Sequence, residues 1–210
     1  MISQDSRSGS AAAHGVAEAL IGILPRLREL HGQTVVVVAG HPVLADEGLR
    51  HAFCGDIAFL RYSGMRPVVV HDGGPRILTR PENDAAALRR YVAGYVQREL
   101  VGLLNDRTPF AVGITGEDGR TLTVLAGEDL LVDAGVLRVL LDSGRIPVVS
   151  SIAYGSDGGI HHLEATPAAV SLASALGGSL VLPVGDGGPA DATFIDMSVP
   201  HAVLRHLHRL

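Results

Sequence analysis

The amino-acid sequence predicts an α/β fold, a three-layer αβα sandwich around an open, mainly parallel central sheet. Three observations carry this reading. Short β-branched runs alternate with stretches whose apolar residues recur at helical spacing. The strand-like runs are apolar throughout rather than alternating, as strands buried on both faces require. Glycine-rich loops follow the strands, and in open parallel sheets ligands collect beyond the carboxyl ends of the strands.

The elements follow in order. Residues 1–15, polar and Ser-rich over the first ten, read as a disordered arm. Across residues 16–30, Val16, Leu20, Ile21, Ile23, Leu24, Leu27 and Leu30 follow helical spacing. Pro25 predicts a kink there, because it removes a backbone donor and clashes with the preceding turn. His31 and Gly32 end the helix. Residues 34–38, TVVVV, are a strand, and residues 39–42 a turn. Residues 47–63 read as a helix with Leu49, Phe53, Ile57 and Leu60 on one face, closed by Gly64. Residues 67–71 form a second strand, followed by the loop DGGP (72–75) and a long amphipathic helix over 83–105. Residues 110–114 and 121–125 are strands flanking the turn GEDG (116–119). A helix over 132–143, a strand over 146–151, and a helix over 167–176 with Pro167 in its first turn come next. A strand over 179–182 and a short helix over 199–208 complete the chain, with no internal repeat or linker. The expectation is one domain over residues 16–210, of which 16–32 are the kinked helix.

Composition narrows the class of function. The chain has 210 residues, 47% of them apolar, enough for a substantial core. A formal charge of −5 gives no reason to expect nucleic acid or an anionic membrane as partner. Cys54 is the single cysteine, which excludes an internal disulfide framework and suits a reducing compartment. No secretory leader pattern and no apolar stretch of spanning length is present, so the expected location is the cytoplasm. All 17 basic residues are Arg, and there is no Lys. Codon bias in a GC-rich genome accounts for that on a surface. It does not account for a lysine that chemistry requires.

The order of the segments says more than any loop alone. VAEALIGILPRLRELHGQTVVVV (16–38), RPVVVHDGGPRI (66–77), AVGITGEDG (111–119), GRIPVVSSI (144–152) and ATPAAVSLASAL (165–176) run in sequence. In these segments the chain resembles the N-acetylglutamate kinases of the amino acid kinase family, from about residue 16 to 207. The resemblance implies that family's fold, a cleft for an acyl amino acid, and assembly into homodimers or hexamers through the substrate half and the N-terminal helix.

The departures bear on activity. Where the family's first strand ends in a phosphoryl-binding Lys, this chain has Val38, followed by Ala39, Gly40 and His41. Phosphoryl transfer relies on cationic clamps and backbone amides, and loss of one clamp costs on the order of 100-fold or more in rate. The family's His-Gly-Gly-Gly loop reads His71-Asp72-Gly73-Gly74, which sets a carboxylate where phosphate should approach. The family's Asn-x-Asn-Ala-Asp segment reads His162-Leu163-Glu164-Ala165-Thr166. Its nucleotide-binding Thr-Asp reads Val184-Gly185, with Asp186 one residue on. The resemblance ends before the family's second catalytic lysine, so part of the C-terminal nucleotide-binding half is expected to be lacking.

The candidate catalytic residues are therefore His41, Asp72, His162 and Glu164. Gly40, Gly73, Gly74, Arg76, Arg80 and Thr166 are the candidate substrate-binding residues, since an Arg fork suits a carboxylate. A metal, if present, would draw on His41, His71, Asp72 and His162. The bland alternative is a dead site with polar residues facing solvent. Cys54 reads as a buried core thiol, and His201, His206 and His208 as a solvated helix face. Three functions stay open. The first is a kinase homologue without ATP chemistry that binds a small carboxylate, an acyl amino acid or a partner subunit. The second is an enzyme of changed chemistry using the His/Asp/Glu set. The third is a kinase with Arg in place of Lys. ATP and magnesium are not expected as cofactors.

Overall fold

The structure, a computed structural model, describes residues 5–74, 85–126 and 129–210. The chain divides into two units, Met1–His31 and Gly32–Leu210. The first contains one helix, α1 (Asp5–Leu30), with Pro25 inside it. The helix begins eleven residues before the expected start at Val16, through the run of three alanines at 11–13, so residues 5–15 are helical rather than a disordered arm.

The second unit is built on a six-stranded, wholly parallel sheet. Its strands are β1 (Thr34–Val38), β2 (Arg66–His71), β3 (Ala111–Thr115), β6 (Ile146–Ser150), β9 (Ser179–Pro183) and β10 (Thr193–Ile195), in the spatial order β10-β9-β1-β2-β6-β3. A smaller sheet takes β4 (Leu122–Val124), β5 (Leu130–Val132), β7 (Ile152–Gly155) and β8 (Ile160–His162), in the order β5-β4-β7-β8. The expected pair around residues 116–119 is therefore split. β3 is an edge strand of the large sheet, and β4 belongs to the small one. Residue 132, expected in a helix, ends β5 instead.

The helices of this unit are α2 (His41–Ala45), α3 (Glu47–Tyr62), α4 (Ala85–Tyr91), α5 (Gln97–Arg107), α6 (Gly135–Asp142), α7 (Ala165–Leu176) and α8 (Ala202–Arg205). Residues 39–42, expected as a turn, lead straight into α2. A π-helical segment, Val92–Val96, joins α4 to α5 and interrupts the long helix expected over 83–105. α3 begins at Asp46, whose Oδ1 accepts the Leu49 amide at 2.8 Å and satisfies an otherwise orphaned helix donor. α7 stops at Gly177, whose left-handed φ of 62° closes the helix without a Cβ penalty.

Both faces of the large sheet are covered. α3, α5 and α8 pack together, with α3 and α5 against β2, β3 and β6, while α7 packs on β1, β2 and β9. Val36, Val38, Val68 and Val70 join Ala168, Leu172 and Leu137 in one apolar cluster. Gln97, buried at the start of α5, donates from Nε2 to the carbonyls of Ile114 and Val148, tying that helix to β3 and β6.

Candidate functional site

Parallel strands point their carboxyl ends the same way, so the loops after β1, β2, β9 and β10 share one edge of the sheet. The chain runs from β1 to β2 on one side, whereas β9 and β10 lie on the other. That is the switch point where an open α/β sheet leaves a crevice. A cleft of about 890 Å³ occurs there, reached by Val38 from β1, Asp72 after β2, Pro183 from β9 and Asp196 after β10.

Side chains packed against glycines shape its floor. A Cβ on Gly40 would lie 2.6 Å from Pro183 Cγ, so only glycine lets the ends of β1 and β9 close on each other here. Gly74 has φ +72°, and a Cβ on it would meet Leu44 at 2.8 Å. His41, in the first turn of α2, is exposed beside the cleft, and its ring makes no hydrogen bond among the described residues.

Asp72 is held on three sides. Its Oδ1 accepts the Gly74 amide at 2.9 Å, and its Oδ2 faces the Ala165 amide at 3.4 Å, at the start of α7. Its carbonyl accepts a hydrogen bond from His162 Nε2 at 2.8 Å. The Ser151 hydroxyl, donating to the Leu163 carbonyl at 2.6 Å, pins the strand that carries His162. Thr166 Oγ1 donates to Asp186 Oδ2 at 2.6 Å. Glu164, one residue before α7, is exposed, and its carboxylate makes no hydrogen bond or ion pair among the described residues. Asp196 accepts from the Ser198 hydroxyl and amide, which hold its carboxyl below the usual range.

The cleft thus brings together Gly40, His41, Asp72, Gly74, His162, Glu164 and Thr166. Four other candidates are elsewhere or undescribed. Gly73 lines a separate hollow of about 150 Å³ with Tyr91, Tyr95, Arg50 and Glu99. Arg76 and Arg80 lie outside the described residues. His71 is the last residue of β2 and wholly buried, with neither ring nitrogen partnered among the described residues. Burial pushes its imidazole down to about 4. His161 turns away to Asp157, 3.2 Å distant on the β7–β8 hairpin. Among the described residues no three His, Cys, Asp or Glu side chains are grouped to hold a metal ion, so the set His41, His71, Asp72 and His162 does not meet as one centre. Asp196, absent from the sequence candidates, joins the site because β10 runs beside β9. Outside the site, Cys54 is buried as expected, which pushes its thiol up to about 12.

Among the described residues the lining contains four carboxylates, Asp72, Glu164, Asp186 and Asp196, and neither Arg nor Lys. Most of its wall is otherwise apolar or glycine.

With fold and cleft in hand, the class is defined. Residues 33–186 match the model of the amino acid kinase family, and the chain belongs to that family. Within it, the chain is acetylglutamate kinase-like. It is 41% identical to the acetylglutamate kinase of Streptomyces griseus over a 204-residue alignment covering 81% of this chain and 65% of the relative. It is 40% identical to that of Streptomyces coelicolor, with 81% and 66% covered. The chain therefore spans about two thirds of the length of these curated relatives. Among solved structures, isopentenyl phosphate kinase superposes with a TM-score of 0.63 at 14% identity, covering 84% of this chain and 96% of the other, a likeness of fold. No helix among the described residues is long and apolar enough to cross a membrane.

Proposed function

We propose that this chain is an acetylglutamate kinase homologue that has lost ATP-dependent phosphoryl transfer and keeps its cleft for an N-acyl amino acid or a similar small carboxylate. One observation carries the proposal: among the described residues the cleft is lined by four carboxylates and no Arg or Lys, where phosphoryl transfer needs cations around the transferring group. Val38, which stands where the family's lysine would, is 1% exposed and has no charge to offer. Asp72 already occupies the amides of Gly74 and Ala165. A phosphate oxygen brought to about 4 Å of it would meet a repulsion of roughly 4 kcal/mol at an effective dielectric of 20.

The hydrogen bonds also favour this reading over an enzyme of changed chemistry. His162 and Asp72 are joined through a backbone carbonyl rather than as an acid–base pair, and His41 and Glu164 have no described partner to orient them. Assembly of copies of the chain fits the exposed Leu20, Ile21 and Leu24 on α1. The test is incubation with MgATP and N-acetylglutamate, trapping any acyl phosphate with hydroxylamine. The expected result is no hydroxamate, with N-acetylglutamate binding seen by calorimetry. Turnover above an enzyme-free control would overturn the proposal.

A further inference from the structure

Outside the cleft lining, α3 and α8 bring a carboxylate and an imidazole together. Asp56 is fully buried on α3, and its Oδ1 accepts from His201 Nδ1 at 2.7 Å. Its Oδ2 accepts the amides of Val203 at 3.1 Å and Leu204 at 3.4 Å. We propose that His201 is a nucleophilic histidine, whose Nε2 takes a phosphoryl group from a small donor of the phosphoramidate class.

The geometry fixes the ring's tautomer. Two amides on Oδ2 favour the ionised carboxylate, so Nδ1 carries the proton and Nε2 keeps its lone pair. A carboxylate behind an imidazole also orients the ring and raises the basicity of the far nitrogen. Burial pushes the Asp56 carboxyl up, and the His201 contact is foremost among the groups that oppose it. The His201 side chain is 59% exposed, and Nε2 has no partner among the described residues. Gly55 stands opposite the ring, and even a Cβ there would come no nearer than 3.9 Å to Cε1, which leaves the ring edge open to a reagent. His201 also has φ 58°, a left-handed conformation that a non-glycine residue keeps only where its surroundings hold it. Among the described histidines this combination occurs at His201 alone. His51 and His161 meet exposed carboxylates, His162 and His206 donate to backbone carbonyls, and His71 is sealed in the sheet.

A neighbouring cation selects a phosphoryl donor over a neutral acylating one. Arg205, one turn along α8, donates from Nε to the Pro200 carbonyl at 3.1 Å, which holds its guanidinium beside the peptide that enters His201. Its terminal nitrogens make no hydrogen bond or ion pair among the described residues, so they can meet the oxygens of an anionic donor. The step is a displacement at phosphorus. The Nε2 lone pair forms the new N–P bond, the donor's P–N bond breaks, and its protonated nitrogen departs as ammonia. The positive charge left on the ring lies against the Asp56 carboxylate.

The test is incubation of the full chain with potassium phosphoramidate, locating phosphohistidine by mass spectrometry and the modified nitrogen by phosphorus–proton NMR. In the wild-type protein His201 should be labelled about tenfold faster than His161, whose Asp157 partner is exposed, and the label should sit on Nε2. Asp56→Asn, which keeps the shape of the side chain and removes its charge, should slow labelling of His201 about tenfold. Arg205→Gln should slow labelling by phosphoramidate and leave carbethoxylation of His201 by the neutral reagent diethyl pyrocarbonate unchanged. Equal labelling of His201 and His161, or a label on Nδ1, would overturn the inference, and neither comparison needs a variant to fold. An undiminished rate in Asp56→Asn, or equal loss with both reagents in Arg205→Gln, would overturn it as well.

Discussion

Replacing His71 by Leu should abolish a specific pH dependence of stability. His71 ends β2, is wholly buried, and has its imidazole pushed down to about 4 from an ordinary value of 6.5, with burial the main cause. Asp72 opposes that shift and His162 adds to it. The unfolded chain takes up a proton below pH 6.5, and the folded chain does so only near pH 4. Between those values the unfolded state binds more protons, so stability rises with pH there. The contribution is whole above pH 6.5 and is lost as pH falls toward 4. The full loss is roughly 3 kcal/mol at 1.36 kcal/mol per pH unit, of which about 2 kcal/mol falls between pH 8 and pH 5. Leu keeps an apolar side chain of similar size in the strand and removes two unpartnered buried nitrogens, so the variant should fold at pH 8. Urea denaturation of both proteins at pH 8 and pH 5 gives a double difference in which the remaining histidines cancel. At a slope of about 2 kcal/mol per molar urea, the wild-type midpoint should fall about 1 M further than that of the variant. Equal losses in the two proteins would refute the reasoning.

Two further predictions concern the helical layer beside β2. Asp56, fully buried on α3, accepts from His201 Nδ1 at 2.7 Å and from the Val203 amide at 3.1 Å, holding α8 in place. Asp56→Ala should cost about 3 kcal/mol in urea denaturation, because the donors lose a buried acceptor. It should also speed amide exchange at Val203, and unchanged exchange there would sink the assignment. Cys54, with its thiol pushed up to about 12, should not react with a disulfide reagent at pH 8 until the chain is denatured. Rapid labelling of the native protein would contradict its burial.

The central sheet was legible because its strands are runs such as TVVVV and PVVV, which bury both faces and resist any helical reading. Of the small sheet only β4 was anticipated, within the strand expected over 121–125; β5 and β8 have three residues each, too few for a period to show, and β7 starts after Ser151 alone, just past the end of the strand expected over 146–151. Ser151 makes the break by sending its amide to the His71 carbonyl and its hydroxyl to that of Leu163. Most of the cleft could be anticipated, since His41, Asp72 and Glu164 each follow the end of an element that opens on the same edge. His71 could not be separated from Asp72 without coordinates. One residue decides whether a side chain is sealed inside the sheet or leaves with the loop. Asp196 depended on β10, whose three residues follow a Gly-rich stretch with no periodic signal.

The position of β1 has a consequence for how the chain is made. One edge of β1 pairs with β2, registered at Val36 against Val68, but the other waits for β9, where Val35 is registered against Ser179. During synthesis the first strand can find its near neighbour early, while its far edge stays unpaired until most of the sheet has been translated. That edge is apolar, β-branched and free of charge, the kind that recruits another nascent chain by strand addition. Premature termination before residue 179 should therefore yield a product that aggregates through residues 34–38. The rate at which β9 docks sets how long the growing chain is exposed to that hazard.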